Sequence, residues 1–251
     1  MVKIKRRTSA VGEELIILAI ATATDSVSVA VGDGSRVLAS SEVVSDRQQC
    51  EALAPMISFV CQQADVSFRE LGAIAVDIGP GLFTGMRVGI ASAKAIAFSL
   101  DLPVIGLCSL DLLAAAAPAT DSVVVSVIDA RRHEVYWSMH RTIGEELTQV
   151  HKPSVGPTSE LITRVVERSQ PALFVGNGAL RYHDEIVESL EHSGLQIEFA
   201  DGRFSRPSAT TMVPMAHRLA VNEQWQTADQ VTPLYLRLPD AQINWSMRSA
   251  S

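Results

Sequence analysis

The alternation of apolar and polar positions predicts two consecutive series of elements that share one order. Each series opens with three strands and continues with helix, strand, helix, strand and helix. In the first series the strands are 15–21, 27–31, 37–44, 73–78 and 104–107, and the helices are 46–64, 85–100 and 109–117. In the second series the strands are 123–128, 134–140, 147–151, 172–175 and 196–199, and the helices are 158–169, 179–192 and 208–222. This repetition predicts two similar lobes with a cleft between them.

Three strands followed by two strand–helix crossovers form the lobe plan of the actin, sugar kinase and Hsp70 ATPase superfamily. The predicted fold class is therefore α/β, a two-lobed actin-like (ribonuclease H-like) fold with a duplicated βββαβαβα order. We expect a disordered extension at residues 1–13, where the pattern has no periodicity. The first lobe is predicted at 14–117 and the second at 118–222, followed by a C-terminal segment, 223–251, that packs back on the lobes.

The charge of the chain argues against a protein that binds nucleic acid by itself. The 251 residues carry a formal net charge of −7, and the basic clusters lie at 3–7 and at Arg131-Arg132. A basic face that neutralises phosphates supplies most of the affinity for nucleic acid. If RNA takes part in the function of this chain, we expect another subunit to hold it.

Cysteine use and the N-terminal pattern predict a cytoplasmic protein. The three cysteines, Cys50, Cys61 and Cys108, have no CxxC spacing, which argues against a disulfide framework or a zinc site. The apolar run 15–20 follows two glutamates. It is much shorter than the roughly 20 residues of a membrane span. Neither a membrane segment nor a signal peptide is therefore expected.

A glycine-rich turn between a predicted strand and a predicted helix is the most specific stretch of the chain. It reads Gly-Pro-Gly-Leu-Phe-Thr-Gly-Met-Arg-Val-Gly over 79–89. Glycines permit tight turning, and the N–H groups of a helix start suit an anion. The stretch is neither a Walker loop nor a GxGxxG fingerprint, so a structural turn is favoured and a phosphate-binding loop stays open. The candidate residues of this signature loop are Gly79, Pro80, Gly81, Phe83, Thr84, Gly85 and Arg87.

The ordered motifs of the chain resemble those of the TsaB (YeaZ) family. The GPG-x-FTG-x-R-x-G string is close to the signature of that family, and further similar strings follow in the family's order. These further strings lie at 17–24, 93–97, 103–110, 129–137 and 233–237. The resemblance covers about residues 15 to 240.

The resemblance implies a non-catalytic partner subunit. Proteins of the TsaB family pair with a catalytic TsaD-type subunit. Helped by a TsaE-type ATPase, that complex transfers a threonylcarbamoyl group to the adenosine next to the anticodon of ANN-decoding tRNAs. This chain is then expected to meet tRNA only through the complex and to bring no cofactor of its own. ATP or ADP is a candidate ligand of the complex interface, and a homodimer is expected when the partner is absent.

Two predicted helices of the first lobe, 46–64 and 85–100, carry more apolar surface than a single covered face requires. The excess favours helix pairing with another chain, although packing within the lobe explains the same pattern equally well. In the TsaB family these helices form the subunit interface. The predicted interface residues are Leu53, Met56, Ile57, Val60, Met86, Ile90, Ala93 and Ala97.

The sequence departs from superfamily members that hydrolyse ATP. Those proteins keep carboxylates at the first strand turn of each lobe, where they handle magnesium and water. Aligning the two halves places Asp129 opposite Ala21, whereas the TsaB family commonly has aspartate at the first position. Magnesium-assisted catalysis is therefore not expected. The six histidines include no pair four residues apart, so no metal site is predicted.

Candidates for a nucleotide or anion contact remain along the predicted cleft. For the second-lobe candidates a structural turn explains the residue types equally well. The candidates are Thr22, Asp129, Gly176 and Gly178.

Two enzymatic functions stand as alternatives to the partner subunit. A stand-alone actin-fold ATPase or phosphotransferase would show magnesium-dependent ATP turnover, and the alanine at position 21 counts against it. A metallopeptidase would need a metal cluster or a nucleophile with its base, and the sequence contains no recognisable set of either kind.

Overall fold

The computed structural model describes residues 4, 7–9, 12–34, 36–44, 49–144 and 146–237. Near the N-terminus, strands β1 (Arg7–Ser9) and β2 (Gly12–Glu14) form an antiparallel hairpin. The prediction of a disordered extension at 1–13 is wrong for residues 7–9, 12 and 13, because three-residue strands are too short to give a periodic pattern. Predictions for 1–3, 5–6, 10–11 and 238–251 lie outside the described residues.

The first lobe is built on a five-stranded mixed sheet with the order β5-β4-β3-β6-β7. Its strands are β3 (Ile16–Ala21), β4 (Ser26–Asp33), β5 (Arg36–Val44), β6 (Leu71–Gly79) and β7 (Val104–Cys108). The first three strands form an antiparallel meander, and β6 and β7 add in parallel. All six residues of β3 are buried, which agrees with a central strand covered on both faces.

The second lobe repeats this topology. Its strands are β8 (Val123–Arg131), β9 (Glu134–Ile143), β10 (Glu146–Pro157), β11 (Ala172–Val175) and β12 (Ile197–Phe199). Their order, β10-β9-β8-β11-β12, is that of the first sheet with each strand replaced by its counterpart. The predicted two-lobed actin-like α/β fold is confirmed.

Seven α-helices connect the strands in the described part of the chain. They are α1 (Gln49–Gln63), α2 (Phe83–Leu100), α3 (Ser109–Ala116), α4 (Thr158–Arg168), α5 (Asn177–Arg181), α6 (His183–Leu190) and α7 (Ala209–Val221). The single helix predicted at 179–192 is two helices, which meet at Tyr182. Periodicity does not reveal this break, because the apolar positions on both sides face one sheet.

The last helix of each series packs on the sheet of the other lobe. Helices α1 and α2 cover one face of the first sheet, and α7 covers its other face through Met212, Val213 and Ala216. Helices α4 and α6 cover one face of the second sheet, and α3 covers the other through Leu110 and Leu113. The predicted lobe boundaries at residues 117 and 222 are therefore corrected: α3 packs on the second sheet and α7 on the first. Apolar periodicity could not reveal this, because it does not say which sheet a helix covers.

The segment after α7 contacts both lobes. Gln226 exchanges two backbone hydrogen bonds with Val104, each of 2.8 Å, at the edge of the first sheet. Val231 is buried in the first core. At the end of the described segment, the Arg237 guanidinium lies 3.0 Å from the Glu134 carboxylate of the second lobe.

Candidate functional site

The signature loop packs tightly on the turn between β3 and β4. The Leu82 N–H donates to the carbonyl of Ala23 at 2.6 Å, and a Cβ on Gly81 would collide with that carbonyl oxygen. Gly79 has a φ of 95°, which side chains rarely tolerate. Glycine at these positions is explained by close backbone packing, so the structure favours the structural turn.

The start of α2 continues this packing. The Thr22 hydroxyl donates to the carbonyl of Gly85 at 2.7 Å, and a Cβ on Gly89 would collide with that hydroxyl. Pro80 and Gly85 are buried in the loop, whereas Thr84 is exposed. The loop therefore fills the space in front of the first-lobe turn.

A buried carboxylate, Asp77, anchors the start of the signature loop. Its Oδ1 accepts hydrogen bonds from the Ser109 hydroxyl at 2.5 Å and from the Gly79 N–H at 2.9 Å, while Oδ2 has no protein partner. Asp77 is 0% exposed, and this burial raises its pKa to about 6 against the opposing effect of hydrogen bonds from Ser109, Gly79 and Ala23. Asp77 thus links the end of β6, the loop and the start of α3.

An aromatic and cationic stack joins the loop to the C-terminal segment. The Arg87 guanidinium lies 3.5 Å from the centroid of the Phe83 ring. Its Nε donates to the Tyr235 hydroxyl at 2.8 Å, and the Phe83 and Tyr235 rings stack at 5.7 Å. All three residues are exposed, so the stack lies on the surface at the start of α2.

The polar part of the cleft is held by ion pairs. Asp25 accepts two hydrogen bonds of 2.8 Å from Arg206. These hydrogen bonds are the main reason why the pKa of Asp25 is lowered. Across the cleft, an Asp129 oxygen lies 3.2 Å from the Arg181 guanidinium. Asp129 also accepts from the Tyr182 hydroxyl at 3.3 Å. Arginines thus occupy the positions beside both carboxylates where a cation would bind.

Of the four predicted nucleotide or anion contacts, Asp129 alone lines the cleft. Thr22 is 1% exposed and donates within the fold. Gly176 is buried, and its N–H donates to the carbonyl of Phe204 at 3.0 Å. A Cβ on Gly178 would press on the backbone of Ile128. Packing explains the residue types at Thr22, Gly176 and Gly178, and none of the three is placed to contact a ligand in the cleft.

Sequence reasoning missed the partner of each cleft carboxylate. Arg206 lies 181 residues from Asp25 along the chain, and Arg181 is the last residue of the short helix α5. Neither position carries a local pattern that identifies an ion pair. The basic pair at 131–132 is a local signal of positive charge, but it does not identify either ion-pair partner.

The eight predicted interface residues lie in the core of the first lobe. Each is no more than 7% exposed in the folded chain, so none offers a surface to a partner. The physical reason is that the main apolar stripe of a helix covers its own sheet first. The residues corrected in this way are Leu53, Met56, Ile57, Val60, Met86, Ile90, Ala93 and Ala97.

The outer sides of α1 and α2 also expose apolar residues, beside polar ones. Phe98 is 85% exposed and Phe59 is 49% exposed. On α2, Ala91 and Ala95 are exposed on the same face as Phe98, since they are seven and three residues before it. On α1, Pro55 is exposed four residues before Phe59. We call these five residues the outer apolar face.

Neither a metal cluster nor a low-pKa thiol is found among the described side chains. No three His, Cys, Asp or Glu side chains there are placed to hold a metal ion. Burial raises the pKa of the Cys61 thiol to about 11 and that of Cys108 to about 12, which disfavours the reactive thiolate. In the same part of the chain, no helix combines the length and apolarity needed to cross a bilayer.

The fold and the cleft define a two-lobed actin-like protein whose cleft carboxylates are paired with arginines. A family model described as "TsaD: tRNA N6-adenosine threonylcarbamoyltransferase" matches residues 40–245. The chain is similar to "tRNA threonylcarbamoyladenosine biosynthesis protein TsaB" of Escherichia coli (strain K12), with 32% identity over 229 residues, 88% of this chain and 94% of that protein. It is also similar to the Bacillus subtilis (strain 168) protein of the same description, with 27% identity covering 92% and 98% of the two chains.

A solved structure agrees with these relatives. "YeaZ from Pseudomonas aeruginosa" has a TM-score of 0.73 and 28% identity, covering 88% of this chain and 100% of that chain. The chain belongs to the TsaB (YeaZ) family.

Proposed function

We propose that this chain is the non-catalytic partner subunit of a complex that makes threonylcarbamoyladenosine in tRNA. The relatives at 27% and 32% identity are described as biosynthesis proteins of this modification. In this proposal the chain pairs with a TsaD-type catalytic subunit in the cytoplasm. A TsaE-type ATPase joins the pair, and tRNA is bound by the complex and not by the acidic chain alone.

The outer apolar face is the observation that carries the partner role. The side chain of Phe98 is 85% exposed, so it adds little to the hydrophobic stabilisation of its own chain. Exposed apolar surface of this kind marks protein–protein contact sites, and alanines beside an aromatic residue let a partner helix approach closely. The same face would serve a second copy of this chain when the partner is absent. ATP or ADP at the complex interface stays a prediction.

Charge reversal on the outer apolar face tests the pairing. Phe98→Asp and Phe59→Asp should each abolish co-elution with the TsaD-type subunit, because each places a carboxylate in a dry contact. Since both side chains are exposed, circular dichroism and the melting temperature of the chain should stay unchanged. Val166→Asp on α4, at a side chain 41% exposed, is the matched control and should leave co-elution intact.

Two results would contradict the partner role. One is undiminished co-elution of the folded Phe98→Asp and Phe59→Asp double variant. The other is full threonylcarbamoyl transfer by the TsaD-type and TsaE-type subunits in a mixture without this chain.

A stand-alone ATPase or phosphotransferase is the second candidate function, and the cleft argues against it. Position 21 is alanine, and both Asp25 and Asp129 are engaged by arginines. Magnesium-dependent ATP hydrolysis by the purified chain at an enzyme-like rate would favour this candidate over the partner role.

A further inference from the structure

Two cavities adjoin in the cleft between the lobes. The larger has a volume of about 430 Å³ and the smaller about 250 Å³. Leu82, Asp129 and Arg131 line both of them, so the two form neighbouring compartments of one site. The volume of the larger compartment lies in the range of about 300–1,000 Å³ that is usual for small-molecule sites.

The larger compartment is lined mainly by apolar and aromatic side chains. The signature loop and α2 supply Leu82 and Met86, the C-terminal segment supplies Leu234 and Leu236, and β9 supplies Tyr136. Such a lining favours the flat apolar body of a ligand, with a few polar groups to orient it.

The smaller compartment is polar and carries a positive excess. Asp25 is paired with Arg206, and Asp129 lies 3.2 Å from Arg181. Arg131 is the third arginine, and its Nε lies 3.9 Å from Asp129, at the limit of an ion pair. Among the described groups in and beside this compartment, three guanidinium groups therefore face two carboxylates, which suits one additional negative charge.

The turn that carries Arg131 is held in a strained conformation. Arg131, Arg132 and His133 have φ angles of 65°, 56° and 60°. Left-handed backbone is unfavourable at residues other than glycine and persists where the surrounding structure enforces it. Here the Arg131 N–H donates to the Asp129 carboxylate at 2.9 Å. The fold thus fixes the backbone of Arg131 at the junction of the two compartments.

We propose that this cleft binds a flat, apolar organic monoanion, with its ring in the larger compartment and its acid group at Arg131. A magnesium nucleoside triphosphate fits less well. The Thr22 hydroxyl and the Gly176 N–H donate within the fold, and both cleft carboxylates are neutralised by arginines. Binding in this cleft does not require the pairing proposed for the outer apolar face.

Two fluorescent probes of nearly the same shape test the site on the purified chain. 8-Anilinonaphthalene-1-sulfonate is an apolar monoanion, and N-phenyl-1-naphthylamine is its uncharged analogue. Both should bind saturably at one site. Arg131→Gln should weaken the sulfonate by about tenfold, as expected for the loss of one charge-assisted contact, and should leave the neutral probe within about twofold. Leu236→Trp should weaken both probes, because it fills the larger compartment.

Arg141→Gln provides the matched control, since Arg141 is an exposed arginine of β9 that lines neither compartment. It should change neither affinity. Near-ultraviolet circular dichroism of each variant checks that the probes report a folded cleft. The proposal is overturned if neither probe binds saturably, or if a folded Arg131→Gln variant binds both as tightly as the original chain.

Discussion

The two lobes share one strand order but differ in what their outer helices present to the surroundings. Helix α4 exposes Glu160, Arg164 and Glu167 on its outer side, and its one large exposed apolar side chain is Val166. The outer apolar face of α1 and α2 instead presents Phe59 and Phe98 among alanines and a proline. Topology thus fixes how a helix covers its sheet, and the opposite face of the helix is free to suit either water or another protein.

The largest expected effect separates the inner and outer faces of these helices. Ile57→Asp should destabilise the chain by about 4 kcal/mol or more, because it buries an unpaired charge; Ile57 is 4% exposed. Val166→Asp on the second lobe should leave stability nearly unchanged. Urea unfolding followed by circular dichroism measures both. Equal losses in the two variants would break the distinction between the inner face of α1 and the solvated face of α4.

A second difference between the lobes concerns buried charge. Asp77 in the first lobe is the one fully buried carboxylate of the described residues. Its pKa of about 6 is above the ordinary 3.8, so the folded state holds this proton more tightly than the unfolded state. The stability that results is complete below pH 3.8 and is lost as the pH rises through about 6.

Asp77→Asn should remove this pH dependence. Well above pH 6 the variant should be more stable than the original chain by up to about 3 kcal/mol, and at acidic pH the two should agree. Urea midpoints across the pH range measure the effect. Parallel pH profiles for the two chains would show that Asp77 is ionised at no cost in the folded lobe.

The smallest effect tests the contact between the lobes. Arg206→Ala should cost about 1–2 kcal/mol, because it removes two charge-assisted hydrogen bonds from the partly buried Asp25. The pKa of Asp25 is lowered in the fold. The stability from this pair is therefore present above pH 3.8 and is lost as the pH falls through the folded pKa.

Arg203→Ala is the matched control for this prediction. Arg203 pairs with Asp201 in the same region, but both side chains are more than half exposed, and no measurable change is expected. Thermal melts of the two variants compare them directly. A loss in Arg203→Ala as large as that in Arg206→Ala would show that the interlobe position of Asp25 adds nothing.

The sheets could be predicted from the sequence because their information is local. The apolar run 16–21 and the alternation at 27–31 define buried strands without reference to distant residues. The predicted order of strands was therefore confirmed in both lobes. The short N-terminal hairpin was missed because its strands have three residues each.

The site was harder to predict because its contacts are distant in sequence. The stripe that contains Leu53 and Val60 is the strongest apolar pattern of α1, and it faces the sheet. The outer surface is formed by the residues beside that stripe, such as Phe59. The pairing of Asp25 with Arg206 and the packing of α7 on the first sheet join positions far apart in the chain, and no periodicity encodes either.

Because α3 and α7 each cover the sheet of the other lobe, the fold has a consequence for synthesis on the ribosome. Until residues 209–221 emerge, one face of the first sheet lacks Met212, Val213 and Ala216, all 0% exposed in the finished fold. The N-terminal half of a nascent chain is therefore left with a bare apolar face that other proteins can capture. Completion of that half must wait for the C-terminal helix, so a fragment that ends near residue 117 is expected to need a chaperone to stay in solution.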